Sequence, residues 1–300
     1  MTLLLSVLEQ GMIYAIMALG MYITYKILDF PDMTVDGSFP MGAAITAILI
    51  TKGMNPLWTL PLCMIAGAGV GVLTGLIHVK LKVRDLLSGI IMMTALYSVN
   101  LTIAGRANVP IYQMQTIFDN KVVNALIPQA LIPYKTVIIV TLLALFMKVV
   151  LDVYMRTKSG YLLRAVGDND TLVTSLGVDK GLVKIIGLAI ANALVALSGC
   201  IFAQQQRFFD ISVGTGTAVI GLASVIIGTS LLKKVSFLKV TTGVVIGSLL
   251  YKSCVALAVR IGFPSSYLKL ITAVLFLLIL VLGTDKKKTC RKTAGRKEVH

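Results

Sequence analysis

Acidic and hydroxyl side chains recur in two short segments that precede apolar runs. Residues 30–42 have the sequence FPDMTVDGSFPMG, and residues 208–221 have the sequence FFDISVGTGTAVIG. Four positions match at a constant offset: Phe30, Asp32, Thr34 and Val35 correspond to Phe208, Asp210, Ser212 and Val213. Carboxylate and hydroxyl oxygens can cap a half-helix by accepting backbone N–H groups, or can contact a solute. These side chains are therefore candidates for helix caps or for residues that line a transport path.

Paired interrupted segments indicate a transport path, because irregular backbone at membrane depth is tolerated only where it lines a cavity or is buried in protein. We predict that the path residues are Asp32, Thr34, Asp36, Gly37, Ser38, Asn192, Asp210, Ser212 and Gly214. Ordinary helix capping in surface loops is the alternative for the two segments. For Asn100 and Asn192, hydrogen bonds between helices are the alternative.

The sequence lacks the patterns that enzymatic chemistry needs. It has no GxxxxGK[ST] loop, no nucleophile and base arrangement, and no spacing of metal ligands. We predict that the chain is not an enzyme and holds no catalytic residue, metal or cofactor, so that a partner subunit binds any ATP that is used. The ionisable residues Glu9, His78, Asp152 and Lys252 lie toward the ends of apolar runs, which argues against an ion-driven carrier.

Composition places the chain in a membrane. It is 57% hydrophobic and 14% charged, with a mean hydropathy of +0.89, which is typical of a polytopic membrane protein. The net charge of +15 sits between apolar runs and in the C-terminal tail, so it indicates membrane topology and argues against nucleic-acid binding. The N-terminus lacks the cationic region and cleavage site of a signal peptide, so we expect the first apolar stretch to be retained.

The elements that must position these side chains are helices. Nine apolar segments are long enough to cross or half-cross a bilayer: 3–28, 40–51, 57–79, 86–104, 132–153, 183–204, 217–232, 240–259 and 267–282. The short segments 40–51 and 217–232 each follow one copy of the repeated motif, and enter from opposite sides. The predicted fold is an all-α polytopic membrane protein of about eight or nine transmembrane or half-membrane helices with an inverted internal repeat.

Basic residues predict the orientation. Alternation of the spans places Lys26, residues 80–84, Lys148, residues 233–239, the polar segment 154–184 and the basic tail on one side, which the positive-inside rule makes cytoplasmic. The N-terminus is then outside and the C-terminus cytoplasmic. Residues 1–284 form the predicted membrane domain, and residues 285–300 form a tail suited to anionic membrane lipid. The segment 105–131 is the longest predicted external stretch.

Residues 154–184 are the longest polar interruption of the chain. Asp168, Asn169 and Asp170 are candidate N-caps, the sequence TLVTSL can form a short helix, and Gly177 suits a left-handed C-terminal position. The apolar face of this helix would carry Leu172, Val173 and Leu176. We predict that this segment docks a partner subunit that supplies energy. A connector that lies at the membrane interface is the alternative.

The sequence RTKSGYLLRAVGDNDTLVTSLGVD resembles the coupling loop of permease subunits in ABC importers of the branched-chain amino-acid and ribose type. The resemblance extends through GLASVIIG at 221–228 and FPSSYLKLITAVLFLLIL, and FPDMTVDGSFPMG is similar to the tryptophan/tyrosine, or aromatic amino-acid, subgroup. It implies coupling roles for Arg156, Gly160, Arg164, Ala165, Gly167, Asp168, Asn169 and Gly177. Two positions depart from the family: Thr229 replaces a frequent acidic residue, and Val173 or Thr174 a usual alanine.

The resemblance implies a permease homodimer in the bacterial cell membrane, two cytoplasmic ABC ATPase subunits and an extracytoplasmic substrate-binding protein or lipoprotein. The implied cargo is an aromatic or branched-chain amino acid. A sugar or nucleoside carried by the same importer type stays open, as does a self-sufficient secondary carrier or facilitator. A membrane anchor or assembly scaffold is a third possibility.

Overall fold

The computed structural model describes residues 2–119, 133–175, 177–232, 239–260, 267, 270–274 and 277. Within these residues, seven helices are long and apolar enough to cross a membrane, and the apolar helix Val35–Thr51 is shorter. The predicted all-α polytopic fold is confirmed. Most of the predicted segment 267–282, the basic residues Lys233 and Lys234, and the tail 285–300 lie outside the described residues.

Two short strands interrupt the succession of helices in the described part of the chain. In chain order the elements are α1 (Thr2–Met21), α2 (Val35–Thr51), α3 (Pro56–Lys80), α4 (Asp85–Ala104), β1 (Asn108–Pro110), α5 (Lys135–Tyr154), α6 (Lys158–Asp168), α7 (Asp170–Ser175), α8 (Lys180–Gln206), β2 (Phe208–Asp210), α9 (Thr217–Leu232) and α10 (Val240–Arg260). A π-helical turn, Tyr22–Ile27, extends α1, and a 3₁₀ turn, Ile211–Gly214, follows β2.

Helix boundaries follow ordinary capping chemistry. Asn55 caps α3 by accepting the N–H of Leu57 at 3.1 Å, with Pro56 in the first helical position. Asp179 caps α8 by accepting the N–H of Gly181 at 2.8 Å. At the other end of α4, Gly105 adopts a left-handed φ of 70°. Asparagine, aspartate and glycine therefore mark the ends of these long apolar helices.

The core is built on α1 and α8. In the most apolar windows of these two helices 61% and 72% of residues are buried, against 22% for α5. Gly67, Gly71 and Gly75 bring α3 against α8, since a Cβ on each would meet Asn192, Leu188 and Ile185 respectively. Glycines spaced four residues apart thus allow the two helices to pack closely.

A two-stranded ribbon closes one end of the molecule. Strands β1 and β2 are antiparallel, with Asn108 opposite Asp210 and Pro110 opposite Phe208. Since β1 follows α4 and β2 follows α8, the ends of these two helices lie on the same side, as alternation of the spans predicts. The opposite side carries α6 and α7.

The two interrupted segments run in opposite directions. From its start near Thr34, α2 leads to the ribbon, where Ala47 and Ile50 pack with Val109 and Phe209. The helix α9 begins after the ribbon and continues toward the π-helical end of α1, where Gly221 packs on Met21. The predicted segment 217–232 matches α9, but the predicted start of the first segment at residue 40 was wrong. The helix begins at Val35 and includes Pro40.

Candidate translocation site

The break between α1 and α2 places a carboxylate beside the middle of α8. The side chain of Asp32 is 2% exposed. Its Oδ1 accepts the N–H of Thr34 at 2.9 Å, and its Oδ2 accepts an N–H of Asn192 at 2.9 Å. Ser38 then donates to Oδ1 of Asn192 at 2.6 Å. This buried network joins the break, the first turns of α2 and the centre of α8.

Asp36 caps the other interrupted helix from across the molecule. Its Oδ2 accepts the N–H of Gly216 at 3.0 Å, while its Oδ1 accepts the N–H of Ala218 at 2.7 Å and the hydroxyl of Thr217 at 2.9 Å. A carboxylate stabilises a helix N-terminus by satisfying unpaired N–H groups and by opposing the positive end of the helix dipole. The N-termini of α2 and α9 therefore meet, and one side chain joins them.

Two glycines allow this meeting. A Cβ on Gly214 would collide with the carbonyl oxygen of Asp36 and lie 2.6 Å from Cγ of Pro40. Pro40 has no N–H with which to bond that carbonyl in the helix, so the backbone of the 3₁₀ turn approaches a place where the helix ladder is open. Gly216 has a φ of +88°, which favours glycine.

The remaining candidate residues of the first repeated segment, 30–42, pack against neighbouring helices. Thr34 and Thr74 share a hydrogen bond of 3.2 Å between their hydroxyls. The carbonyl of Gly37 accepts an N–H of Asn100 at 3.0 Å, and a Cβ on Gly37 would lie 2.7 Å from Leu96. These contacts fix the start of α2 against α3 and α4.

The second-copy residues behave differently. Asp210 Oδ1 accepts the N–H of Ser212 at 2.7 Å and its hydroxyl at 2.6 Å, which repeats the local bond between Asp32 and Thr34. Within the described residues the side chains of Asp210 and Ser212 make no hydrogen bond beyond this turn, and Ser212 is exposed. The structure thus brings together Asp32, Asp36, Ser38 and Asn192, but not Asp210 and Ser212.

Two helices form the polar segment where one was predicted. The hydroxyl of Thr157 accepts the N–H of Gly160 at 3.3 Å and caps α6, and Asn169 separates α6 from α7 in an extended conformation. Gly177 has the predicted left-handed conformation, with a φ of +74°. Val173 is fully buried, whereas the side chain of Leu172 and the whole of Leu176 lie outside the described part of the chain.

Gly167 joins this segment to the break. A Cβ on Gly167 would collide with the carbonyl oxygen of Ile27 and lie 3.4 Å from Cα of Leu28. The carbonyl of Ile27 ends the π-helical turn, and Asp29 shortly after it has a left-handed φ of 52°. The backbone of α6 therefore lies directly against the backbone that leads to Asp32.

The other loop residues lie on different faces of the segment. A Cβ on Gly160 would lie 2.5 Å from the carbonyl oxygen of Tyr154, and Ala165 packs against the core. Asp168 and Asn169 are exposed. Arg156 and Arg164 line a polar cleft together with Tyr22 and Asp152.

Comparison with known proteins identifies the family of this chain. The model of the family described as branched-chain amino acid transport system / permease component matches residues 3–280. This chain is a member of that permease family. No solved structure gives a significant match.

Three curated relatives of this permease illustrate its similarities. A tyrosine transport system permease protein of Clostridioides difficile is 41% identical over 292 residues, which is 96% of this chain and 95% of the relative. A ribose import permease protein of Escherichia coli is 25% identical over 289 residues, covering 95% and 86%. An inner membrane ABC transporter permease protein of Escherichia coli is 25% identical over 237 residues, covering 76% and 67%.

One expectation about this permease was wrong. Ionisable side chains do lie near the middles of helices: Asp32 is beside Asn192 in α8, and Lys252 Nζ lies 3.7 Å from the ring centroid of Tyr14. The break in the chain carries Asp32 to that depth, which a scan of apolar runs does not reveal. The chain therefore does carry intramembrane charge, and the argument made above against an ion-driven carrier fails. The transport class follows from the family instead.

Two partners of the site were missed. Thr74 lies in an apolar helix with no pattern around it, and Thr217 was treated as the first residue of an apolar run. The constant offset between the two repeated motifs was a signal for the segments, but not for the contacts that each makes.

Proposed function

We propose that this permease is the membrane-spanning subunit of an ATP-driven importer of an aromatic amino acid. The observation that carries the proposal is the 41% identity, over nearly the whole of both chains, to a relative named for tyrosine transport. The ribose permease relative, at 25% identity, makes a sugar the second candidate cargo.

In this proposal two copies of the permease work with a cytoplasmic ATPase dimer and an extracytoplasmic binding protein. The sequence has no phosphate-binding loop of its own, and one relative is named as an ABC transporter permease. The helices α6 and α7, which carry the coupling pattern, are the docking element for the ATPase.

The side with α6 and α7 faces the cytoplasm of a bacterial cell, and the ribbon faces outward, with the N-terminus outside and the C-terminus inside. Lys26, Lys80 and Arg84 lie at the helix ends on the same side of the molecule as α6. This agrees with the positive-inside rule. At the ribbon, Asp119 pairs with Arg207 and with Lys135. This surface of paired charges suits the docking of a binding protein.

Coupling runs from the loop to the break. Nucleotide binding in the ATPase moves α6, and Gly167 passes the movement to the backbone at Ile27 and Leu28. Asp32 then changes its position relative to Asn192, and Asp36 moves with the start of α9. A ligand shifts such an equilibrium only through different contacts in the two states, and these hydrogen bonds are the contacts that differ.

The cargo is tested on the binding protein encoded beside this permease. Calorimetry should give tight binding of tyrosine or another aromatic amino acid, with no detectable heat from leucine or ribose. Tight binding of ribose or leucine instead would overturn the proposed cargo while leaving the importer class in place. Solute flux through the purified permease alone would favour the self-sufficient carrier.

A further inference from the structure

A polar cleft of about 320 Å³ lies between the α6 side of the transmembrane helices and the polar segment 154–184, called the coupling segment below. Its polar lining comes from the end of α1, the end of α5, α6 and the start of α10: Tyr22, Asp152, Arg156, Tyr161, Arg164 and Lys239. The cleft therefore joins membrane-spanning helices to the segment proposed to dock the ATPase.

Among the described residues that line the cleft, Asp152 is the single carboxylate, and it is already neutralised. Asp152 is 9% exposed and accepts hydrogen bonds from Lys239 at 3.0 Å and from Thr241 at 2.6 Å, with Lys148 Nζ at 3.3 Å. A buried carboxylate with two lysines beside it has no charge left to offer a guanidinium. The described residues that line the cleft offer no further anion.

Two arginines line the cleft without an acidic partner in the described part of the chain. Across the described ranges, the guanidinium groups of Arg156 and Arg164 make neither an ion pair nor a hydrogen bond with the protein. Guanidinium groups match the oxygens of a phosphate in a bidentate fork. The phenol groups of Tyr22 and Tyr161 add hydroxyl donors to the same wall.

We infer that this cleft binds a phosphate group, carried by an anionic phospholipid of the inner leaflet or present as a free anion. Its place at the helix ends favours the lipid, since basic pockets between transmembrane helices on the cytoplasmic side suit lipid head groups. This assignment rests on the proposed orientation, with α6 on the cytoplasmic side, but not on the proposed cargo.

A bound phosphate would tie the coupling segment to the membrane-spanning helices. Arg164 and Tyr161 belong to α6, Arg156 closely follows α5, and Lys239 directly precedes α10. Because one anion would contact groups on all of these elements, its binding reduces the opening of the backbone hydrogen bonds of α6. Anionic lipid would thereby set how firmly the coupling segment is held.

The test uses the full-length permease in nanodiscs of phosphatidylcholine alone, of phosphatidylcholine with phosphatidylglycerol, and of phosphatidylcholine with added inorganic phosphate. Hydrogen exchange is followed in residues 156–168, and retained lipid is counted by native mass spectrometry. The variant Arg156→Gln/Arg164→Gln is compared with Lys80→Gln/Arg84→Gln, which removes the same charge on the same side but outside the cleft.

We expect phosphatidylglycerol to slow exchange in the wild type and the control variant, and the cleft variant to bind it about tenfold more weakly. Protection by phosphatidylglycerol but not by inorganic phosphate identifies the lipid as the source, and protection by both identifies the phosphate group itself. Equal protection of the cleft and control variants would overturn the inference. Protection that requires the ATPase would also overturn it, and would assign the arginines to a protein interface.

Discussion

At the scale of single residues, Asp36 uses both of its carboxylate oxygens to hold the start of α9. The variant Asp36→Asn keeps one acceptor but turns an amide toward the N–H of Gly216, so we expect a loss of about 1–3 kcal/mol in the free energy of unfolding. Transport should fall with it. Unfolding in lipid–detergent micelles and uptake assays measure the two effects.

Asp210→Asn is the matched control for this prediction. Asp210 uses only Oδ1, for bonds inside its own turn, and asparagine caps as well as aspartate does. Its unfolding free energy should stay close to that of the wild type. Equal losses in the two variants would show that Asp36 acts as an ordinary local cap.

The bond between Asp32 and Asn192 gives a second prediction. A double-mutant cycle of Asp32→Ala and Asn192→Ala should give a coupling energy of about 1–3 kcal/mol, because each single change leaves a buried partner unsatisfied. The cycle of Asp32→Ala with Asn100→Ala should give less than about 0.5 kcal/mol, since Asn100 bonds to the carbonyl of Gly37. Additive effects in the first cycle would contradict the network.

The sequence predicts which residues enter this site better than it predicts their contacts. The interrupted, repeated segment identified Asp32, Asp36 and Ser38 as candidates. Asn192 was a candidate because a polar amide in an apolar helix needs a partner. The partner of Asp36 lies 180 residues away, and local capping patterns hold no information at that distance. Asp210 resembles Asp32 in sequence but has no helix like α8 beside it.

At the scale of elements, we propose that the contact of α6 with the end of α1 carries the coupling. The variant Gly167→Ala places a Cβ against the carbonyl of Ile27 and forces the two apart. We expect the ATPase activity of the assembled complex to lose its stimulation by loaded binding protein, while the permease still enters the membrane. ATPase assays with membrane fractions check both points.

Gly69→Ala is the control for this change. Gly69 is also helical, but a Cβ there meets no atom within 4 Å, so stimulation should be retained. If Gly167→Ala also retained full stimulation, the movement would have to reach the break by another route.

The positions of helices were predictable where a long apolar run is enough to define a membrane span. The segments 57–79, 86–104 and 217–232 lie close to α3, α4 and α9, since a long apolar run in this composition has few alternatives to a helix. The start of α2 was missed because Pro40 was taken as a helix boundary. The helix includes Pro40, and the carbonyl of Asp36 simply lacks its backbone hydrogen bond there. The helix α6 was missed because its polar, amphipathic sequence gives no span signal.

At the scale of the whole molecule, the proposed orientation predicts which side each loop faces. A cysteine at Ala107, near the ribbon, should react in intact cells with a membrane-impermeant maleimide. A cysteine at Lys158, at the start of α6, should react only after the membrane is opened. Both positions are exposed, so access to the reagent decides the result. The reverse pattern would invert the assignment of sides and remove α6 as the site of ATPase docking.

The most direct measurement is uptake of labelled tyrosine into proteoliposomes that contain the permease, its ATPase and its binding protein. We predict accumulation against a gradient that requires ATP and all three proteins, is competed by aromatic amino acids, and is unaffected by ribose. Equal uptake with the permease alone or without ATP would contradict an ATP-driven importer, and competition by ribose in place of aromatic amino acids would contradict the proposed cargo.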